Sequence, residues 1–198
     1  MQKGVGTMIS QKRKAFFVLF VMLGGVAFAS TEGWQRFKSS AGFSVSYPGS
    51  WFRTGISTDR LQLRSSKGGA EGVGIKQGQA EITVMEAQVS SSQTLAQVIA
   101  YYTQDATVLS HKNVPAKASK VGCSELEEIT SKEPAVPPAD SPINVPNIIN
   151  TDFFCEVHGR KIVTLLRNWE GDKRQERYQQ VALQMAKGVR LSQQEDAR

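Results

Sequence analysis

Gly42-Phe43-Ser44-Val45-Ser46-Tyr47-Pro48, with Trp51 three residues further on, is the stretch from which the fold can be read. Phe43, Val45 and Tyr47 alternate with serines, so an extended chain here turns one apolar face inward and one small polar face outward. Pro48-Gly49 ends the run, since proline brings no amide donor and glycine permits a sharp reversal. Trp34 and Phe37 lie just upstream as further apolar anchors.

Working toward the C-terminus, Leu61-Gln62-Leu63 alternates again, and so does the run Ala80 to Val89 through Ile82 and Val84. Between them, residues 65–79 are rich in glycine and read as a mobile loop. Ser90, Ser91 and Ser92 offer N-caps for a helix whose Leu95, Val98, Ile99 and Tyr102 form one stripe. That helix is expected to reach about Asp105. Two strands are then expected, His111 to Ala118 and Lys120 to Ser131, the second carrying Cys123. Five prolines between residues 133 and 146 exclude helix and central strand and predict a long loop. The clearest hairpin follows: Asp152 to Val157 and Lys161 to Trp169 flank His158-Gly159-Arg160, where Gly159 can take the left-handed turn conformation. A final helix is expected from Gln175 to about Leu191, with Tyr178, Val181, Ala182, Met185 and Val189 inward. Strands and helices in this order do not alternate as βαβ units. They predict an α+β fold, an antiparallel β-sheet flanked by helices.

The first 29 residues have a different composition. Lys12-Arg13-Lys14 precede the uncharged apolar run 15–26, and Ala27-Phe28-Ala29 supplies small residues before Ser30. This is the three-part pattern of a cleavable secretory signal over residues 1–29, and the alternative is an uncleaved membrane anchor. Residues 30–191 are then expected to form a single exported domain, periplasmic or secreted, with a polar tail over 192–198 and no later membrane-spanning segment. The formal charge of +6 falls to +2 once Lys3, Lys12, Arg13 and Lys14 are set aside, with 20 basic and 18 acidic side chains left. So even a balance gives no field to steer a nucleic acid.

Two cysteines, Cys123 and Cys155, remain. An even count in an exported chain favours a disulfide, against the alternative of a reactive or metal-binding thiol. Their two strands would then lie side by side.

The strand 42–48 with Trp51 resembles the opening "gFsvsYPxxW" strand of the PsbP-like superfamily. The hairpin Phe153-Phe154-Cys155-Glu156-Val157-His158-Gly159-Arg160 and the closing stretch 185–191 are similar to later parts of that family's domain. The resemblance spans most of residues 34–191 and rests on fold-signature positions: Phe43, Tyr47, Pro48, Trp51 and Gly159. It implies a PsbP-like α/β sandwich, shared by an extrinsic subunit of photosystem II and a Ran-binding import factor. It also implies a non-catalytic binding or assembly role, with an envelope protein or protein complex as partner and no cofactor.

Chemistry-bearing patterns are sparse. His111 and His158 are too few for an imidazole cluster, and no Gly-x-Ser-x-Gly elbow supports a hydrolase. Glu125, Glu127 and Glu128 suggest either a weak cation site or a solvated sheet edge. The run 68–74 superficially resembles a phosphate loop but lacks its Gly-Lys-Ser/Thr ending. Lys173, Arg174 and Arg177 crowd the start of the last helix. The second functional class left open is a small-ligand or lipid carrier with a cavity between sheet and helices.

Overall fold

The computed structural model describes residues 33–67, 75, 76, 78–90, 92–115, 122–134 and 146–192. The signal 1–29, the run 68–74, most of the proline-rich stretch and nearly all of the tail fall outside the described residues.

Ten strands and two helices make up the described chain: β1 (Trp34–Lys38), β2 (Phe43–Pro48), β3 (Phe52–Arg53), β4 (Leu61–Arg64), β5 (Glu81–Glu86), α1 (Leu95–Thr103), β6 (Thr107–Asn113), β7 (Glu125–Glu133), β8 (Ile148–Val157), β9 (Arg160–Trp169), α2 (Gln175–Lys187) and β10 (Arg190–Leu191). Seven strands form one antiparallel sheet in the order β3-β4-β5-β9-β8-β7-β6, and a smaller sheet has the order β1-β2-β10.

The alternation of β8 and β9 explains the layers. Phe153, Cys155 and Ile162 belong to a core shared with the small sheet and α2, while Phe154 and Val163 belong to a second core under α1. Successive side chains point to opposite faces of a strand, so the two helices cover opposite faces of the large sheet. Burying each of the largest side chains, such as Phe43, Phe153 and Phe154, stabilises the fold by roughly 1.5–3 kcal/mol. At β2, Phe43 and Val45 are buried, Tyr47 donates its hydroxyl to Gln35 at 2.7 Å, and Trp51 meets Tyr178 of α2 edge-on at 5.8 Å.

The β8–β9 hairpin closes through two residues, His158 at φ 49° and Gly159 at φ 78°. Two consecutive left-handed residues match the twist of the strands they join. Cys123 and Cys155 stand at disulfide distance, with their Cα atoms 5.3 Å apart.

Several boundaries differ from expectation. Helix α1 is capped by Thr94 and not by Ser90–Ser92: Thr94 Oγ1 accepts from Gln97 N–H while the Gln97 side chain accepts from Thr94 N–H. This reciprocal capping box satisfies two amides at once. Strand β6 begins at Thr107, four residues before His111. Cys123 precedes β7 rather than lying on it. Helix α2 ends at Lys187, where the Gly188 N–H takes up the last carbonyls, and the chain turns into β10. Arg190 and Leu191 pair there with Ser44 and Phe43, a second sheet that the sequence reading did not contain.

Candidate binding face

Residues of α1 and β6 compose the most unusual surface. Leu95, Val98 and Ile99 bury the inner stripe of α1, leaving Tyr101 outward and 57% exposed. Beyond the helix, β6 forms the outer edge of the large sheet among the described residues. Its pairing with β7 shifts between Val108 and Ser110, which leaves Leu109 as the extra residue of a β-bulge. A bulge interrupts the strict alternation of side chains, and Val108 and Leu109 are 48% and 54% exposed side by side. Of the four large apolar side chains exposed among the described residues, Tyr101, Val108 and Leu109 lie here, while Ile56 stands apart.

Beside this patch is a cavity of about 270 Å³, lined by Tyr101, Tyr102, Gln104, Asp105, Ala106 and Glu133. The Tyr102 ring packs edge-on against Phe154 at 5.8 Å, and burial raises its hydroxyl pKa. Glu133 receives Arg167 at 3.2 Å. On the same face of β8, Asn150 and Asp152 are buried, and one side-chain oxygen of each lacks a hydrogen-bond partner. Burial, then the neighbouring Glu133 charge, pushes the Asp152 carboxyl up to about 8; the Leu166 N–H and Arg167 pull the other way.

Several of the charged groups singled out in the sequence are engaged in pairs. His111 and Glu127 form a cross-strand pair, and Lys112 meets Glu128 at 3.3 Å. That arrangement is a solvated sheet edge, and among the described residues no three metal-ligating side chains gather. Arg174 turns to Asp172 and to the Gly78 carbonyl, with its guanidinium 5.6 Å from the centre of the Tyr178 ring. His158 occupies the hairpin turn, far along the sheet from His111 in register. The sequence reading missed Asp152 as a site residue. An acid within the apolar run Ile148–Val157 was the signal available for it.

No family model matches the chain, and no curated protein matches it. Solved structures do. The Ran-binding protein Mog1p of Saccharomyces cerevisiae superposes with a TM-score of 0.52 at 8% identity, covering 80% of this chain and 95% of that one. Cyanobacterial PsbP from Synechocystis gives a TM-score of 0.46 at 14% identity, over 85% of this chain and 98% of that one. A Pseudomonas aeruginosa protein of unknown function gives 0.44 at 9% identity, over 76% and 94%. At such identities the likeness concerns fold alone, and the Mog1p superposition carries it. That superposition, over most of both chains, gives this chain the α+β fold of Mog1p.

Proposed function

We propose that the chain is an exported, non-catalytic binding protein whose residues 30–191 act as one module docking on an envelope protein or complex. The observation that carries this reading is the exposure of Val108 and Leu109, adjacent at the bulge of the outer strand β6, with Tyr101 exposed on α1 just before that strand. Exposed apolar side chains in one place, rimmed by polar residues, mark interaction surfaces. The Leu109 bulge favours side-chain docking over strand addition, because it interrupts the row of edge hydrogen bonds that an added strand needs. The fold of a Ran-binding protein is in keeping with a partner-binding role. The signal pattern of residues 1–29 supports export, and the cysteine pair is compatible with it.

A carrier role draws less support. The side chains between α2 and the sheet are filled with buried aromatic and aliphatic residues, and the cavity beside α1 is edged by charged groups. The test is a photo-crosslinker at Val108 in the tagged 30–198 protein within its native envelope. One discrete adduct, lost in Leu109→Glu, is expected. Crosslinking no different from that of a probe at Ile56 would overturn the docking surface.

A further inference from the structure

We propose that the cavity between the end of α1 and β7 is a binding site for an organic cation: a guanidinium or primary alkylammonium group on a short stem. This inference stands on the cavity itself and does not depend on the docking role of β6.

The electrostatic sense of the site comes first. Helix α1 ends at its rim, and the final carbonyls of a helix carry partial negative charge. No basic side chain occupies the last turn of α1 to neutralise them. Asp105 and Glu133 line the same space. Asp105 makes no ion pair among the described residues, and Glu133 has Arg167 on a partly exposed contact. An anion entering here meets two carboxylates and a helix C-terminus, whereas a cation meets complementary charge from each.

The lining also suits an organic cation better than a bare metal ion. The Tyr101 and Tyr102 rings lie 5.6 Å apart, edge to face, and tyrosine faces attract guanidinium and ammonium groups. A space of about 270 Å³ accepts a single side-chain-sized group and little more.

Further support comes from β8, whose Asp152 interacts electrostatically with two of the lining residues. Asp152 is only 7% exposed, yet its Oδ1 has no hydrogen-bond partner. A buried polar atom left so costs about 1–3 kcal/mol, which folding alone has no reason to retain. The charge of Asp152 is coupled to Tyr102 on α1 and to Glu133 on β7, both of which line the cavity, and to Arg167 on β9. Asn150, two residues away on the same face, has a second unpartnered oxygen. Asp152 thus feels the same charges as a cavity whose lining favours a donor-rich ligand.

The experiment follows the tyrosine rings of the 30–198 protein by carbon-13 NMR during titration with N-acetylarginine amide, N-acetyllysine amide, spermidine and the neutral N-acetylnorleucine amide. Saturable shifts at Tyr101 and Tyr102 with at least one cation, and none with the neutral analogue, are expected. Tighter binding of spermidine identifies a free polyamine as the source, and tighter binding of an acetylated amide identifies a side chain of a partner. Affinity is expected to rise about threefold or more between pH 6.5 and 8.5 as Asp152 ionises, and to lose that rise in Asp152→Asn. The double variant Asp105→Asn/Glu133→Gln, checked for folding by circular dichroism, is expected to bind about tenfold more weakly. Equal shifts with the neutral analogue, no saturation with any cation, or unchanged affinity in the folded double variant would overturn the proposal.

Discussion

Arg160 holds both carboxylate oxygens of Glu86, with Nε at 2.8 Å from one and Nη2 at 2.5 Å from the other. The same guanidinium donates to the Ala41 carbonyl and, at 3.3 Å, to that of Gly42. Arg160 opens β9 and Glu86 closes β5, while Ala41 and Gly42 lead into β2. One side chain therefore fastens the small sheet to the large one. Removing it in Arg160→Ala leaves two carbonyls and a carboxylate short of a donor and is expected to cost about 1–3 kcal/mol in urea denaturation. Lysine lacks the planar fork, so Arg160→Lys should recover less than half of the loss. A lysine variant as stable as the parent would show that charge alone makes the joint.

Gly159 has open space where a Cβ would stand, so a substitution there is resisted by backbone conformation and not by a clash. Gly159→Ala is expected to destabilise by about 1 kcal/mol. At the adjoining position, His158→Asn is expected to stabilise by a few tenths of a kcal/mol, because asparagine accepts a left-handed conformation more readily. Thermal melts of both variants check the pair, and the opposite ordering would count against the turn.

Cys123 and Cys155 are 32 residues apart in sequence, and a bridge between them restricts the unfolded chain. Chain entropy gives about 3–4 kcal/mol for a loop of that size. Reduction, or the double change to alanine, should lower the urea midpoint accordingly. Intact mass before and after alkylation reports whether the bridge is present, and free thiols in the folded protein would contradict it.

Asp152 makes stability depend on pH in an unusual direction. Its carboxyl is raised from 3.8 to about 8, chiefly by burial. Through that window the folded protein holds a proton that the unfolded chain has released, so stability falls as pH rises from about 4 to about 8. The contribution is complete below the lower value and gone above the upper one. Urea midpoints across this range should decline in the parent and decline less in Asp152→Asn. Parallel profiles would place the titration elsewhere.

The fold was legible where one face of an element is buried and the other is not. Alternation exposes β2, β4 and β5, and Gly159 exposes the β8–β9 turn. Strand β1 was silent because Phe37 is its only buried residue, and β6, expected from His111, was placed four residues late because it has no buried face to create a period. The overlong final helix has a specific cause: Val189 is buried and continues the spacing from Met185, although the helix has already ended. Thr94 and Gln97 carried a readable capping box that the run of serines just upstream obscured. The cavity had no local signature. It joins Tyr101, Tyr102, Gln104, Asp105 and Ala106 to Glu133, which come together only through the pairing of β6 with β7.

The pairing of β10 with β2 carries a consequence for the order of events during synthesis. Residues 43–48 leave the ribosome early, while Arg190 and Leu191 follow almost the whole described chain later. Until they arrive, β2 has β1 on one side and a bare edge on the other. Contacts between segments so distant form late and slowly. The small sheet is therefore the part of the fold completed last, when Arg190 and Leu191 close the free edge of β2.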